Sequence, residues 1–160
     1  MKIGLLVLRL TLAALLIAHG AHRLFGLFAG PGIGAGGLSH TATYFSSMGG
    51  GAGLALAGLT GVIQLAAGLL LIVGFLTRMA SLAAIGYLAI EMWKLQWRWG
   101  FFMNWTGAAD RGHGIEFALL LVGGLLCLVF AGAGDWSIDG QRANDAASRA
   151  AGRARVRRNT

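Results

Sequence analysis

Four apolar stretches of this chain, over 3–21, 53–76, 79–97 and 115–133, are each about long enough to cross a membrane, and polar side chains interrupt them. A helix rises about 1.5 Å per residue and needs about 20 mostly apolar residues to span the hydrocarbon core. The interrupting residues are Arg9, His19, Gln64, Glu91, Lys94 and Glu116. A charge at mid-bilayer costs about 2.5–3.5 kcal/mol on insertion scales, so each one needs a partner or a task.

Of the 160 residues, 56% are hydrophobic and only 12% charged, too little polar surface to cover a soluble domain. The apolar runs are dominated by Leu and Ala and show no period-two alternation, so they read as helices and not as barrel strands. The only proline, Pro31, lies outside the runs and kinks none of them. The expected fold class is all-α: an integral membrane four-helix bundle over 1–139, followed by a basic, flexible tail over 140–160. Lys2 and the apolar run after it imitate a signal peptide. Arg9 breaks that run and no small-x-small cleavage site follows, so a retained first helix is expected. The single Cys127 rules out an intrachain disulfide and a C-x-x-C exchange site. It reads as a small buried apolar residue, and any redox chemistry then needs a cofactor or partner.

An even number of spans puts both termini on one side. With the termini inside, Lys2, Arg78, Arg142, Arg149, Arg153, Arg155, Arg157 and Arg158 are cytoplasmic, and Arg23, Lys94, Arg98 and Arg111 lie outside. Positive-inside bias favours that orientation. The arginine-dense tail accounts for much of the net charge of +7. It is expected to be drawn to anionic lipid, at about 1 kcal/mol per basic residue near the surface. No nucleic-acid-binding fold accompanies it, so nucleic acid is not an expected partner. The glycine-rich run over 30–37 superficially matches a dinucleotide loop, but no strand precedes it and no helix opens directly after it. It reads as a pliable loop. Gly53, Ala57 and Gly61, and the pair Gly123 and Gly124, form small faces that let helices approach closely, with oligomerisation as the alternative use.

Depth along each span sorts the polar residues. His19 falls about 24 Å from the start of the first helix, Gln64 about 16 Å into the second, and Glu91 about 18 Å along the third. His22 and Arg23 follow His19, and Lys94 lies one turn beyond Glu91 at bridging distance. His113 precedes the fourth helix and Glu116 opens it. These residues form one polar layer in the outer third, with Gln64 as its floor. Glu91, a carboxylate among apolar residues, is the foremost candidate for proton handling, with Lys94 or Arg23 as its ion-pair partner. Glu116 is the second candidate, with helix capping as the alternative. Lys94, Arg98, Trp93, Trp97 and Trp99 also suit an interfacial belt. A metal site from His19, His22, His113 and Glu116 is the weaker alternative, since the spacing is loose. Arg9 lies about 9 Å in from the other end, away from this layer. It is expected to snorkel or to pair with Asp135 or Asp139 as a latch.

Several motifs together resemble the DoxX family of small four-helix bacterial membrane proteins. They are Arg9 in the first helix, HGAHRLFG over 19–26, QLAAGLLLIVGFLTR over 64–78, GFFMNW over 100–105, GIEF over 114–117 and GAGDWSID over 132–139. Position 64 is often Glu in the family and is Gln here. Position 23 is often Lys and is Arg here. A titratable group is therefore lost at Gln64, leaving Glu91 and Glu116. The resemblance implies a multi-pass protein of the bacterial inner membrane, linked to redox and to sulfur or oxidative-stress metabolism, working with a protein partner. For such a role the expected quinone-binding residues are His19, His22, Arg23, Gln64, Lys94 and Asn104, walled by Trp93, Phe101, Phe102 and Trp105. The alternative function is a non-enzymatic membrane scaffold or integrity factor. The residues do not name a reaction.

Overall fold

The computed structural model describes residues 2–28, 36–47, 52–108 and 110–159. Among them there are six α-helices and no strand: α1 (Lys2–Phe25), α2 (Gly37–Ser47), α3 (Gly53–Val73), α4 (Thr77–Glu91), α5 (Glu116–Ala131) and α6 (Ile138–Asn159). The loop reading of the glycine-rich run falls largely outside the described residues, as does Pro31.

One apolar core joins four helices. Leu12 and Leu16 of α1, Leu71 of α3, Ala84 and Leu88 of α4, and Leu121, Leu125 and Leu128 of α5 are all buried in it. α1 packs on α3, α3 on α4, α4 on α5, and α5 returns to α1, so the four close a ring. The outward faces are apolar too: Leu120 is 72% and Phe130 78% exposed. Helices that are hydrophobic all round suit a lipid surrounding. By length and composition, two of them, Ile3–Phe25 and Gly53–Val73, can cross a membrane; α5 is apolar but shorter.

Small residues set the closest approach. A Cβ on Gly20 would lie 2.6 Å from Leu65 N, and one on Gly68 would lie 2.9 Å from Ala13 O, so α1 and α3 touch backbone to backbone. Gly61 faces Leu24 of α1, while Gly53 faces Ala42 and Ser46 of α2. Gly124 receives Leu12, and Gly123 faces open space.

The helices differ from the sequence expectations at four places. The second stretch stops early because Gly74 takes a left-handed φ of 65° and Phe75 N donates back to Leu70 O at 3.0 Å, a turn that ends a helix. The third stretch is not one regular helix. It passes at Met92 into a π-helical stretch, Met92–Gln96, and then a 3₁₀ turn, Trp97–Trp99. The segment expected as a flexible tail is helical, α6. Cys127, expected to be buried, is exposed on α5.

A clamp ties the far end together. Asp139, in the first turn of α6, accepts from Leu76 N at 3.0 Å and Thr77 N at 2.8 Å, capping α4 from another helix. Asp139 N in turn donates to Gly74 O at 3.0 Å. Arg9 is 2% exposed and donates to Ala133 O and Trp136 O, each at 2.6 Å. The expected latch is therefore at the α5–α6 turn, but the hydrogen bonds of Arg9 go to carbonyls, and the Asp139 carboxylate caps α4.

Candidate functional site

At the opposite end of the core, α1, α3 and α4 bring polar side chains together among leucines. Arg23 Nη2 donates to Glu91 Oε1 at 2.5 Å, with side chains only 16% and 13% exposed. Below them Gln64 Nε2 donates to the Tyr87 hydroxyl at 2.5 Å, both residues being buried. Tyr87 and Glu91 are four apart in α4 and so share a face. His19 is one turn before Arg23, and its ring lies 6.2 Å from that of Phe117 at 44°. α2 covers the group: Thr41 Oγ1 donates to Arg23 O at 3.2 Å. Tyr44, on α2 and half exposed, has its pKa raised, first by partial burial and then by the charge on Glu91.

The π-helical stretch completes the group. Trp97 N–H donates to Met92 O, five residues back. In an α-helix, residues five apart sit about 140° from one another around the axis. A π turn, with its i→i+5 hydrogen bonds, lays them nearly one above the other. Gln96 therefore comes onto the face of Glu91. His19, Arg23, Gln64, Tyr87, Glu91 and Gln96 all line one small, partly open cavity of about 60 Å³. Arg23 Nη1, Gln64 Oε1 and Gln96 Oε1 are buried without a hydrogen-bond partner in the protein. Orphaned buried donors and acceptors at one cavity are costly for stability alone and point to a polar occupant.

A second space adjoins it. An apolar groove of about 300 Å³ lies between α3 and α4, lined by Leu56, Leu59, Ile63 and Ile90. Tyr87 and Glu91 line this groove as well as the cavity, and Lys94 lies along its edge.

The remaining candidates lie elsewhere. Lys94 does not bridge to Glu91; its Nζ sits 4.2 Å over the Trp93 ring, because Glu91 has turned inward to Arg23. His22 Nδ1 is 3.0 Å from Leu27 O, off the cavity. Asn104 organises the 100–115 loop: its Nδ2 donates to Ala108 O at 2.8 Å and Arg111 O at 2.6 Å. His113 Nδ1 accepts from Asn104 N at 3.3 Å, and Glu116 Oε2 accepts from Met103 N at 3.1 Å. The expected wall residues Trp93, Phe101, Phe102 and Trp105 are exposed and border no part of the cavity. His19, His22, His113 and Glu116 do not converge, and no group of three or more His, Cys, Asp or Glu able to hold a metal occurs among the described residues. Tyr87 and Gln96 were missed in the sequence: a tyrosine in an apolar helix reads as core, and Gln96 reaches the cavity only through the π turn.

A family model for DoxX matches residues 4–97, more than half of the chain. The chain belongs to the DoxX family. No curated protein and no solved structure matches it. The DoxX match contains every polar side chain of the cavity, from His19 to Gln96, and ends before the loop that holds Asn104 and His113 and before Glu116 at the start of α5. DoxX proteins are membrane-associated, in keeping with the two helices apolar and long enough to cross a membrane.

Proposed function

We propose that this DoxX protein is an integral four-helix bundle of the bacterial inner membrane that holds a quinone as a redox-associated subunit beside a protein partner. In this reading α1, α3, α4 and α5 span the membrane, and both termini face the cytoplasm, as the basic residues favour. The observation that carries it is the shared wall: Tyr87 and Glu91 border both the small polar cavity and the apolar groove between α3 and α4. A cavity of 60 Å³ has room for about two waters. The groove, at about 300 Å³, reaches the lower end of small-ligand sites. A quinone fits the pair, with its isoprenoid chain along Leu56, Leu59 and Ile63 and its carbonyls toward Tyr87 and Lys94. Bound there, the quinone supplies two-electron, two-proton redox chemistry.

The chain's own residues do the rest. The Tyr87 hydroxyl accepts from Gln64, which leaves its proton free to be donated toward the groove. Glu91 is the carboxylate nearest the groove, and Arg23 holds it in place from behind. Lys94 contributes a fixed positive charge at the groove edge. The α2 cover limits access from the outer side, leaving the lateral face as the way in for an apolar ligand.

Mild-detergent purification followed by mass spectrometry of the extracted lipids tests the reading. Quinone is expected in the wild type, at several-fold lower occupancy in Tyr87→Phe and Glu91→Gln, and absent from Ile63→Trp, which fills the groove. No quinone in wild-type protein, or equal retention by Ile63→Trp, overturns it. The Arg23–Glu91 pair favours a second reading, a non-enzymatic scaffold or integrity factor in which the pair only latches α1 to α4. In that case any cellular phenotype of Glu91→Gln follows protein abundance alone. A folded, abundant and inactive variant sinks that alternative.

A further inference from the structure

The helix α6 stands outside the ring of packed helices, and four of its six arginines are ordered along it, Arg155 and Arg158 falling on other sides. Arg142, Arg149, Arg153 and Arg157 are spaced by seven, four and four residues. At about 100° per residue they fall within about 80° of arc, one stripe along the helix. Past the first turn α6 carries one acidic residue, Asp145, and every residue from Gln141 to Ala154 is exposed. Its only large apolar side chains are Ile138 and Val156 and its other apolar residues are alanines, so it has no bulky apolar face to insert into a bilayer. Its base, by contrast, is fixed. Asp139 holds the α3–α4 turn, and the Arg142 guanidinium sits 4.8 Å over the Phe75 ring. The stripe thus starts within a turn of the end of α3.

We propose that α6 is an electrostatic surface anchor whose arginine stripe seats on anionic phospholipid headgroups beside the end of the bundle. The proposal rests on the membrane reading above. Headgroup phosphates accept hydrogen bonds in the fork geometry that guanidinium donates. The clamp decides among polyanions. It holds the stripe at the point where spanning helices leave the bilayer, so headgroups are present at high effective concentration, whereas nucleic acid or an acidic protein must arrive from solution. Each arginine near an anionic surface contributes about fivefold to the preference for it.

The full-length protein with Cys127→Ser and a fluorophore on Ala150→Cys, reconstituted in lipid nanodiscs, provides the test. The discs hold phosphatidylcholine alone or one-third phosphatidylglycerol, with a headgroup nitroxide quencher in both. Quenching at low salt is expected to be about threefold stronger with phosphatidylglycerol, and to fall to the phosphatidylcholine level at about 0.5 M salt, where screening is within roughly 4 Å. Arg149→Gln/Arg153→Gln/Arg157→Gln removes most of the difference, since Arg142, Arg155 and Arg158 remain, and the matching lysine triple variant keeps most of it. Equal quenching in the two discs overturns the proposal, as does a glutamine triple variant that behaves like wild type. Stronger protection of the probe by a short DNA duplex than by phosphatidylglycerol assigns the stripe to nucleic acid instead. Failure of the folded protein to enter discs at all refutes the membrane reading itself, and is told apart by the absence of co-migrating lipid.

Discussion

Removing Glu91 should expose how much the ion pair holds α1 to α4. Its Oε1 lies 2.5 Å from Arg23 Nη2, and the two side chains are 13% and 16% exposed, so water screens the pair little. Breaking a buried pair from one side costs about 3–5 kcal/mol, because the surviving charge is left without a partner. Arg23 Nη1 is already unpartnered, so Glu91→Leu leaves the guanidinium with neither terminal nitrogen satisfied. With some residual exposure the lower figure applies, about 3 kcal/mol. For a chain of this size that is about 6–12 °C in Tm. Arg23→Met should cost a similar amount. The double variant Arg23→Met/Glu91→Leu should recover at least half of the summed loss, since no isolated charge remains. Thermal unfolding in mild detergent, followed by circular dichroism, reads all three. Lys94→Met serves as the control and should shift Tm by no more than about 2 °C, as expected for an exposed charge. Strict additivity of the two single losses, or a Lys94→Met loss equal to that of Arg23→Met, refutes the assignment of Arg23 as the partner of Glu91.

Four other outcomes follow from packing, capping and exposure. Gly20→Ala should lower Tm by about 2–8 °C, for a cost of about 1–2 kcal/mol, because its Cβ meets backbone atoms of α3 that cannot move aside. Gly123→Ala, in open space, should be neutral or raise Tm by a few degrees, through about 0.5–1 kcal/mol of helix propensity. Asp139→Ala removes two hydrogen bonds to the start of α4 and should cost about 1–2 kcal/mol, with faster trypsin cleavage at Arg142 as a second readout. Cys127, exposed on the apolar face of α5, should react in membrane vesicles with a lipid-soluble maleimide and not with a charged, impermeant thiol reagent. Labelling by both reagents would place that face in water.

The long apolar runs made the helical class legible, because a run of leucines and alanines without alternation has no other economical fold. Helix α2 was not legible. Its eleven residues, GLSHTATYFSS, carry no apolar run, and it owes its place to packing on α3 and to Thr41. Depth along a span was also readable, since rise per residue is fixed. Azimuth was not: Glu116 and His113 share the level of the outer layer yet turn into a loop, while Glu91 turns inward. The partner of Glu91 lies 68 residues away on another helix, so local spacing pointed instead to Lys94. Gln96 was hidden for a further reason. A period of 3.6 puts it on the wrong face, and only the widened turn after Glu91 corrects this.

The contacts of Arg9 bear on how the chain is made. Its two terminal nitrogens donate to carbonyls 124 and 127 residues further along, while Nε is buried without a partner. On a ribosome, α1 is therefore complete long before its charge has a protein acceptor, and until Trp136 is synthesised Arg9 must keep company with water or headgroups. The α3–α4 turn waits as well, because the carboxylate that caps α4 belongs to Asp139. On the proposed membrane reading, final seating of the first helix is deferred to the last part of synthesis. A nascent chain halted before position 133 should keep α1 near the interface, and release to full length should draw it in.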